Sequence, residues 1–498
     1  MSRDEKSGEK TGVERSKDEE RVEFYGGKYT VFIPIILALM GLTYIAVKNA
    51  NIPEYWVVFL LPMIVMMPFA KNKRKYSEAI INGFRSDVGM ILIGAVILAG
   101  ISGAILNQSG LVKTLAYYLV SLNLVGSKYV VATFILTCLI AFSTGTSVGT
   151  IFVVGPILYP VGYLVGASPA FLVGAIVSGG AFGDNLSPVS DTTIASAATQ
   201  EVDLGGVVKS RLKYSIPAAV ITIFLYLIFS GSGNMVGGAE EYLSQPEPIS
   251  LLFLLVPAVI VYFAFQQRHL FEALSYGIIV GLVLGIVTGI IPPQDIISVP
   301  EPFGAGGIIL EGIQNAIPTV IVVLVLFAQI NVLKEGGGID IIMEKVGNFV
   351  RGPKTAELSM SSLLIVLNLI TGLNTAAIIG SGEIAKKLGK KYKIDGYRRA
   401  NILDCAGTTF NYLLPYMVPV VVGSMIASMY APVENAVQVS PVQVVTHQFY
   451  PWVMLAVLLF SIFTGYGRTF ISDEKTAVSK NKKRAGGKAA AVEAVEKI

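Results

Sequence analysis

The chain has 498 residues, of which 53% are hydrophobic and only 14% are charged, and its formal net charge is +4. Because soluble domains carry about a quarter charged residues, this composition excludes a soluble globular protein and indicates an all-α polytopic membrane protein. The charged residues are segregated along the chain, so the small net charge says little about binding partners.

Charged residues gather at the two ends of the chain. Residues 1–29 hold seven Lys or Arg and eight Asp or Glu, which predicts a disordered cytoplasmic tail and not a signal peptide. A second, basic cytoplasmic tail is predicted over 468–498. Between the tails we predict a membrane domain with an N-terminal half at 30–230, a connecting loop at 231–248 and a C-terminal half at 249–467.

Uncharged apolar runs recur between the tails, and a run of about 20 residues can cross the roughly 30 Å hydrocarbon core. They lie near 30–47, 55–70, 88–112, 129–183, 214–239, 249–267, 273–294, 312–333, 358–382, 405–433 and 435–467. These runs predict about ten to thirteen membrane passes, some of them broken. The basic segment Lys71–Lys75 and both tails are expected on the cytoplasmic face by the positive-inside rule. The membrane itself is expected to be the plasma membrane.

Two stretches of the chain align without a gap at a constant offset of 227 residues. Residues 143–162 match 370–389, and residues 180–188 match 407–415. The coincident pairs are Thr144/Thr371, Gly145/Gly372, Ile151/Ile378, Gly155/Gly382, Gly162/Gly389, Gly180/Gly407 and Pro188/Pro415. Shared Gly and Pro mark breaks in the backbone, so the pattern predicts an internal repeat.

The two copies of this repeat differ in charge. Residues 386–399 carry seven Lys or Arg and are expected in the cytoplasm, whereas 159–172 carry no charge, as an external loop can. One copy is therefore expected to point opposite to the other. Inverted repeats with interrupted segments are typical of secondary transporters, so we predict an inverted-repeat secondary transporter with discontinuous helices. A channel filter would more often be a short motif repeated around a symmetry axis.

Each copy contains a cluster of Gly and hydroxyl residues inside an apolar run. The first cluster is Ser143–Thr150 and the second is Thr371–Thr375. Gly loosens a helix, and freed carbonyls with Ser and Thr hydroxyls can coordinate a cation. Close helix packing through small residues would give a similar composition. The equivalent repeat positions favour broken helices.

Two aspartates interrupt the longest uncharged stretch. No charged side chain occurs from Tyr129 to Gly183, and Asp184 and Asp191 follow. An Asp at mid-membrane costs roughly 2.5–3.5 kcal/mol on insertion, so such residues are functional candidates by default. Pro188 is expected to break the helix between them. The residues that then gather side-chain oxygens are Asp184, Asn185, Ser187, Ser190, Asp191, Thr192 and Thr193. A polar surface loop, with Asp191 capping the next helix, is the alternative.

The second copy supplies a less charged version of this segment. Asn411 stands opposite Asp184 in the alignment, and Asp404 lies seven residues before Asn411, either in a site or at an interface between helices. No Lys or Arg occurs between Lys128 and Lys209. The first-copy segment therefore favours cations over anionic substrates.

At this point the residues resemble a known family. Phe182–Thr193 is similar to the signature of NhaC-type Na+/H+ antiporters, within the ion transporter superfamily, and Ser143–Thr150 is similar to that family's Thr-Gly-Thr-Ser segment. The likeness covers most of the membrane portion. It implies an inverted-repeat transporter with an ion site at Asp184, Asn185, Ser187, Asp191 and Thr192, with Thr144, Thr146 and Ser147 opposite, and with Na+ bound at Asp184 and Asp191.

The second half departs from the family's pattern. Members carry Glu-Asp-Ala/Ser-Gly-Thr and then Thr-Ser-Pro-Leu-Ile-Pro-Trp-Asn, whereas this chain has Leu403–Thr408 and then Thr409–Tyr416. The Glu, the Trp and the final Asn are replaced. The family also includes exchangers of malate and lactate, so the resemblance leaves the substrate open. A second-repeat site for an ion or a substrate is expected at Asn374, Thr375, Asp404, Thr408 and Asn411.

These observations favour a Na+/H+ antiporter. Asp184, helped by Asp191, would bind Na+ when ionised and a proton otherwise, and competition at one site would make exchange obligatory. The alternative is a Na+-coupled symporter or exchanger of a small carboxylate or amino acid. An intramembrane aspartyl protease is disfavoured, because Ala181 stands where its Gly-x-Gly-Asp motif needs Gly and no Tyr-Asp pair occurs. A primary pump is disfavoured because the chain has no GxxxxGK[ST] phosphate-binding loop.

The expected partners follow from this interpretation. We expect no enzyme activity and no cofactor, with Na+ and H+ as the transported or coupling ions. Membrane lipid and a monovalent cation are the expected contacts, together with a small organic solute if one is carried. No nucleic acid is expected, and a homodimer is left open.

Overall fold

The computed structural model describes residues 21–47, 56–231, 246–266, 268–299, 305–338, 341, 350–432 and 437–471. This described part is dominated by helices and contains isolated β-bridges but no β-strand. Apolar side chains such as Ile64, Leu139, Ile228 and Val287 face outward, as expected of helix surfaces that contact lipid. The prediction of an all-α polytopic membrane protein is confirmed.

The first half runs from an N-terminal 3-10 turn at Lys28–Phe32 to the long helix that ends at Phe229. A second 3-10 turn, Met67–Phe69, follows α2. The helices are α1 (Ile33–Val47), α2 (Val57–Met66), α3 (Lys73–Phe84), α4 (Asp87–Gln108), α5 (Leu111–Ser121), α6 (Gly126–Thr144), α7 (Ser147–Leu164), α8 (Pro169–Leu186), α9 (Asp191–Gln200) and α10 (Leu204–Phe229).

The second half begins with a 3-10 helix at Pro248–Leu254. Its helices are α11 (Leu255–Phe265), α12 (Leu270–Thr288), α13 (Pro293–Ile296), α14 (Ile308–Glu335), α15 (Pro353–Thr371), α16 (Asn374–Lys391), α17 (Gly396–Leu413), α18 (Val418–Met429), α19 (Pro441–His447) and α20 (Phe449–Thr464).

Six of the described helices are long and apolar enough to cross a membrane, and up to eight spans result if each of two bent helix pairs is one span. The bent pairs are α17 with α18, at 40°, and α19 with α20, at 54°. This number is below the about ten to thirteen passes that the apolar runs predict. The difference arises because several runs form shorter apolar helices, such as Val57–Phe69 and Leu111–Ser121.

Helix bounds repeat at the same offset of 227 residues as the sequence. The matching bounds are the ends of α6 and α15, both ends of α7 and α16, both ends of α8 and α17, and the starts of α9 and α18. Gly145 and Gly372 lie at the two equivalent breaks with φ of 68° and 64°, a region that glycine adopts readily. Discontinuous helices therefore occur at both predicted positions.

Each copy packs one of its helices against the other copy. α9 packs against α16 and α17 of the second copy, and its counterpart α18 packs against α7 and α8 of the first. α8 and α17 also contact each other, and both are buried over nearly their whole length. Reciprocal packing of this kind is the pattern of two units related by an approximate two-fold axis.

A buried ion cluster joins helices of the second half. Glu357 on α15 pairs with Arg398 on α17 at 2.9 Å and with Arg468, beyond the end of α20, at 2.7 Å. Arg399 is also buried and donates a hydrogen bond to the side-chain oxygen of Gln200 at 2.8 Å. Two of the seven basic residues in 386–399, a segment expected in the cytoplasm, therefore lie buried in contacts between helices.

The predicted tails and connecting loop lie mostly outside the described residues, at 1–20, 232–245 and 472–498. The end of the N-terminal tail differs from the prediction. Val22 and Phe24 are each 3% exposed, and the Val22 amide donates to the carbonyl of Glu335 at 3.2 Å. Two apolar residues in a highly charged segment are too weak a pattern to predict this packing.

Candidate functional site

The sequence-predicted site lies where α8 ends and α9 begins. α8 ends at Leu186, Ser187–Ser190 form a short loop, and α9 starts at Asp191. Pro188 lies in that loop, so the break predicted from it is present. Ser187 is buried, and its hydroxyl accepts a hydrogen bond from the Val189 amide at 3.3 Å, which stabilises the loop itself.

Asp184 is a buried carboxylate in the last turn of α8, with 5% of its surface exposed. The Ser190 hydroxyl donates to its Oδ1 at 3.0 Å, and the Tyr412 hydroxyl of α17 donates to its Oδ2 at 3.2 Å. The Thr192 hydroxyl donates to its backbone carbonyl at 3.0 Å and bonds Ser190 at 2.9 Å. No Lys or Arg of the described ranges forms an ion pair with Asp184.

Asp404 lies beside this group but has a cationic partner. The Arg211 guanidinium contacts Asp404 Oδ2 at 2.9 Å, and both side chains are fully buried. Asn185 and Thr408 donate to the other carboxylate oxygen at 3.1 Å and 3.2 Å, and Thr193 donates to Oδ2 at 3.3 Å. Asp404 is therefore a neutralised, fully hydrogen-bonded residue at the contact between the copies.

Arg211 links the two copies at this point. It donates to the backbone carbonyl of Asn185 and, at 2.8 Å, to the Thr193 hydroxyl. It also donates to the side-chain oxygen of Asn401 at 3.1 Å. A backbone carbonyl in the last turn of α8, next to Asp184, is thus occupied by a protein cation.

Asn185 is held on both sides of its amide. Its nitrogen donates to Asp404, as given above, and its oxygen accepts from the Ser215 hydroxyl at 2.6 Å and from the Tyr450 hydroxyl at 3.1 Å. Because every polar atom of this side chain has a protein partner, Asn185 orients its neighbours around Asp404.

Asp191 occupies a different position from Asp184. It is exposed, in the first turn of α9, where one oxygen accepts from the Thr192 amide at 3.0 Å. Its other oxygen accepts from the hydroxyl of Thr375, at the start of α16. The aspartate expected to help Asp184 therefore lies at the surface, bridging the two copies.

The first-copy helix break packs against this loop. A Cβ at Gly145 would lie 2.7 Å from the backbone carbon of Val189. The Thr144 hydroxyl bonds Thr150 at 2.9 Å, and Thr146 is exposed and caps α7 by accepting from the Gly149 amide at 3.3 Å. Ser147 is buried against Gly180. Three of the predicted hydroxyl residues thus lie at the break, with Thr146 turned to the surface.

The second-copy break has the same arrangement with amide side chains. A Cβ at Gly407 would lie only 2.0 Å from Asn374 Oδ1, so Asn374 packs directly on that turn of α17. Among the residues that the structure describes, neither side-chain polar atom of Asn374 has a hydrogen-bond partner, and the side-chain oxygen of Asn411 has none either. Thr375 instead contacts Asp191, and Thr408 contacts Asp404.

Sequence reasoning missed the residues that come from outside the repeat segments. Arg211 on α10 and Tyr450 on α20 reach the site because their helices pack against α8 and α17. Tyr412 follows the predicted Asn411 in the chain, but the residue equivalent to Tyr412 in the first copy is Asn185. The repeat therefore gave no signal for a phenol at this position. In the sequence Arg211 stands between Lys209 and Lys213, which is typical of a basic helix end at the membrane surface, so nothing in the sequence indicated its burial.

The chain is similar to known proteins over most of its length. The model of the Na+/H+ antiporter family matches residues 22–231 and 247–467. The Na(+)/H(+) antiporter NhaC of Alkalihalophilus pseudofirmus is 26% identical over 72% of this chain and 82% of its own length. The NhaC of Bacillus subtilis is 23% identical over 78% of this chain and 88% of its own length. The malate-2H(+)/Na(+)-lactate antiporter of Bacillus subtilis is 30% identical over 46% of this chain and 49% of its own length.

Proposed function

The chain belongs to the Na+/H+ antiporter family, and on that premise we propose that it exchanges Na+ for H+ across the plasma membrane at Asp184. Membership of an antiporter family confirms the prediction of a secondary transporter rather than an enzyme. One observation carries the assignment to Asp184. Among the described residues it is a buried carboxylate without a Lys or Arg partner, whereas its neighbour Asp404 is paired with Arg211.

This difference in charge balance decides which carboxylate exchanges ions. An unpaired charge in a low-dielectric interior is strongly unfavourable, so Asp184 needs either a cation or a proton. Asp404 has its own tethered cation and needs neither. Since Na+ and H+ compete for one carboxylate, the loading of one requires the release of the other.

The surroundings of Asp184 are suited to a small hard cation. Hydroxyl oxygens of Ser190 and Thr192 and the backbone carbonyl of Asp184 lie within one hydrogen-bond network. Hard cations take oxygen ligands of these kinds. The hydroxyls that now donate to Asp184 can rotate and present their lone pairs to Na+. We assign Asp191, at the surface nearby, the role of attracting the incoming cation.

Alternating access follows from an inverted repeat. Three observations support it: the repeated helix bounds, the reciprocal packing of α9 and α18, and the charge difference between 159–172 and 386–399. Rocking of one copy against the other would open Asp184 to one side at a time. We place both termini and Lys71–Lys75 in the cytoplasm.

The test uses purified protein in liposomes with an imposed pH gradient. NaCl is added outside while an internal dye reports pH, with K+ and Li+ as comparisons. Sodium-dependent collapse of the gradient without an organic solute is expected. Asp184→Asn should abolish it, and Asp87→Asn, an exposed aspartate in the first turn of α4, is the matched control. Retained exchange in Asp184→Asn would place the site elsewhere.

A second candidate is a Na+-coupled carrier of a small carboxylate. The observation that favours it is the similarity to the malate-2H(+)/Na(+)-lactate antiporter of Bacillus subtilis. Proton movement that requires added malate or lactate as well as Na+ would favour this candidate. Movement with Na+ alone would favour the antiporter.

A further inference from the structure

Three buried asparagines of the second copy have polar atoms without partners. Asn368, Asn374 and Asn411 are each more than nine-tenths buried. Within the described residues, the side-chain oxygens of all three, and the side-chain nitrogen of Asn374, make no hydrogen bond. Buried polar groups in native proteins are almost always paired, so a cluster of unpaired ones calls for an explanation such as an ion.

These side chains converge on one turn of α17. Asn368, from α15, donates its side-chain nitrogen to the Gly407 carbonyl at 3.2 Å. Asn374, at the start of α16, packs directly on Gly407. Asn411 follows Gly407 by one helical turn on α17. Three helices thus deliver an unpaired amide oxygen to the same region.

The cluster stands at the repeat position of the Asp184 site. At the offset of 227, Asn411 corresponds to Asp184, Asn374 to Ser147, and Gly407 to Gly180. The helix break beside it, at Gly372, has the same left-handed backbone as the break at Gly145. Between the two sites, the carboxylate of Asp184 is replaced by the amide of Asn411.

We infer that this cluster, formed by Asn368, Asn374 and Asn411, binds a second Na+ that is not exchanged for a proton at its own site. Amide oxygens are ligands for hard cations, and an amide side chain has no proton to exchange in the physiological range. The inference rests on the proposed function, since it takes Na+ as the transported cation. It adds that the repeat carries one protonatable and one non-protonatable cation site.

The titratable groups on the neighbouring helices are committed to other partners. Asp191 on α9 bonds Thr375, and Asp404 on α17 pairs with Arg211. The Tyr416 hydroxyl, in the loop after α17, donates to the Leu369 carbonyl at 3.3 Å, and Glu383 on α16 pairs with Lys387 at 2.7 Å at the surface. None of these groups hydrogen-bonds one of the three amides within the described residues.

The test is radioactive Na+ binding to the purified full-length chain across acidic and alkaline pH. Asp184→Asn is expected to keep one bound Na+ whose affinity does not change with pH. Asn411→Ala is expected to keep only the pH-dependent Na+, with binding at the other site weaker by about tenfold or more. Asn331→Ala, a half-buried asparagine that donates to the Ala79 carbonyl, is the control and should match the wild type.

Asn411→Asp is a second variant, in which a new pH dependence of Na+ binding is expected. It should make both bound Na+ ions pH-dependent, because both sites then hold a carboxylate. Loss of all Na+ binding in a folded Asp184→Asn protein that still resists thermal aggregation would overturn the inference, even if the wild type exchanges Na+ for H+. Conversely, Na+ binding by Asp184→Asn without any exchange by the wild type would support the inference and contradict the proposed function.

Discussion

The ends of α8 and α17 occupy matching places in the repeat and differ in one decisive group. α8 carries Asp184, whose carboxylate accepts hydrogen bonds from Ser190 and Tyr412. α17 carries Asn411, whose side-chain oxygen has no hydrogen-bond partner in the described part of the chain. Both lie beside a helix break with a left-handed glycine. The broken helices, which supply neutral oxygens, are therefore separable from the carboxylate that couples an ion to a proton.

Exchanging the Asp184 carboxylate and the Asn411 amide should give the largest effect on Na+-driven proton movement. Asp184→Asn should reduce Na+-driven proton movement to the leak of protein-free liposomes, because no carboxylate then chooses between Na+ and H+. The double variant Asp184→Asn/Asn411→Asp should recover part of the movement, measured with the internal pH dye. Recovery no greater than in the single variant would mean that the two ends are not functionally equivalent.

Breaking the Arg211–Asp404 pair should give the next largest effect. This effect should be on the thermal stability of the protein and not on which ion it binds. Removing one partner of a buried pair typically costs about 3–5 kcal/mol, so Arg211→Gln should lower the thermal denaturation midpoint strongly. Adding Asp404→Asn should restore part of the loss, because the uncompensated charge disappears. An unchanged midpoint in Arg211→Gln would contradict the assignment of this pair as structural support.

The two glycine breaks should respond unequally to alanine. Both φ values are positive, which costs a non-glycine residue about 1–2 kcal/mol. At Gly145 the new Cβ also meets the Val189 backbone at 2.7 Å, whereas at Gly372 it meets the flexible end of Ile330 at 2.4 Å. Gly145→Ala should therefore weaken Na+ binding more than Gly372→Ala, as measured by radioactive Na+ binding. Equal losses would indicate that Val189 can shift freely.

The smallest effect is expected at the contact between the copies near the surface. Thr375→Val removes one hydrogen bond to Asp191, and a net hydrogen bond contributes about 0.5–1.5 kcal/mol. The exchange rate in liposomes should change only a few-fold, while the bound Na+ stays the same. Thr43→Val, an exposed hydroxyl on α1 that bonds only the Leu39 carbonyl of its own helix among the described contacts, is the control. A complete loss of exchange would give Thr375 a direct part in ion binding.

Local features of the fold followed from the sequence because they depend on nearby residues. Pro188 ended α8 where predicted, and Gly145 and Gly372 placed both helix breaks. The repeat offset read from Gly and Pro matched the helix bounds. These features require only backbone chemistry within a few residues, which a single sequence carries.

Features that depend on distant helices did not follow from the sequence. The absence of Lys and Arg between Lys128 and Lys209 suggested a region without positive charge, yet Arg211 on α10 donates to the Asn185 carbonyl. Arg398 and Arg399 belong to the basic segment that was expected in the cytoplasm, yet both are buried against other helices. Distance along the chain is a poor measure of distance in a bundle, so the charge balance of a buried site needs the tertiary arrangement.

The ion cluster of Glu357 with Arg398 and Arg468 limits how the molecule can move. It ties α15, α17 and the segment after α20 through bidentate contacts with no exposed carboxylate oxygen to exchange partners with water. These three elements should therefore travel as one rigid body. On the proposed rocking motion, the moving surface is then expected along the helices that cross between the copies, α9 and α18.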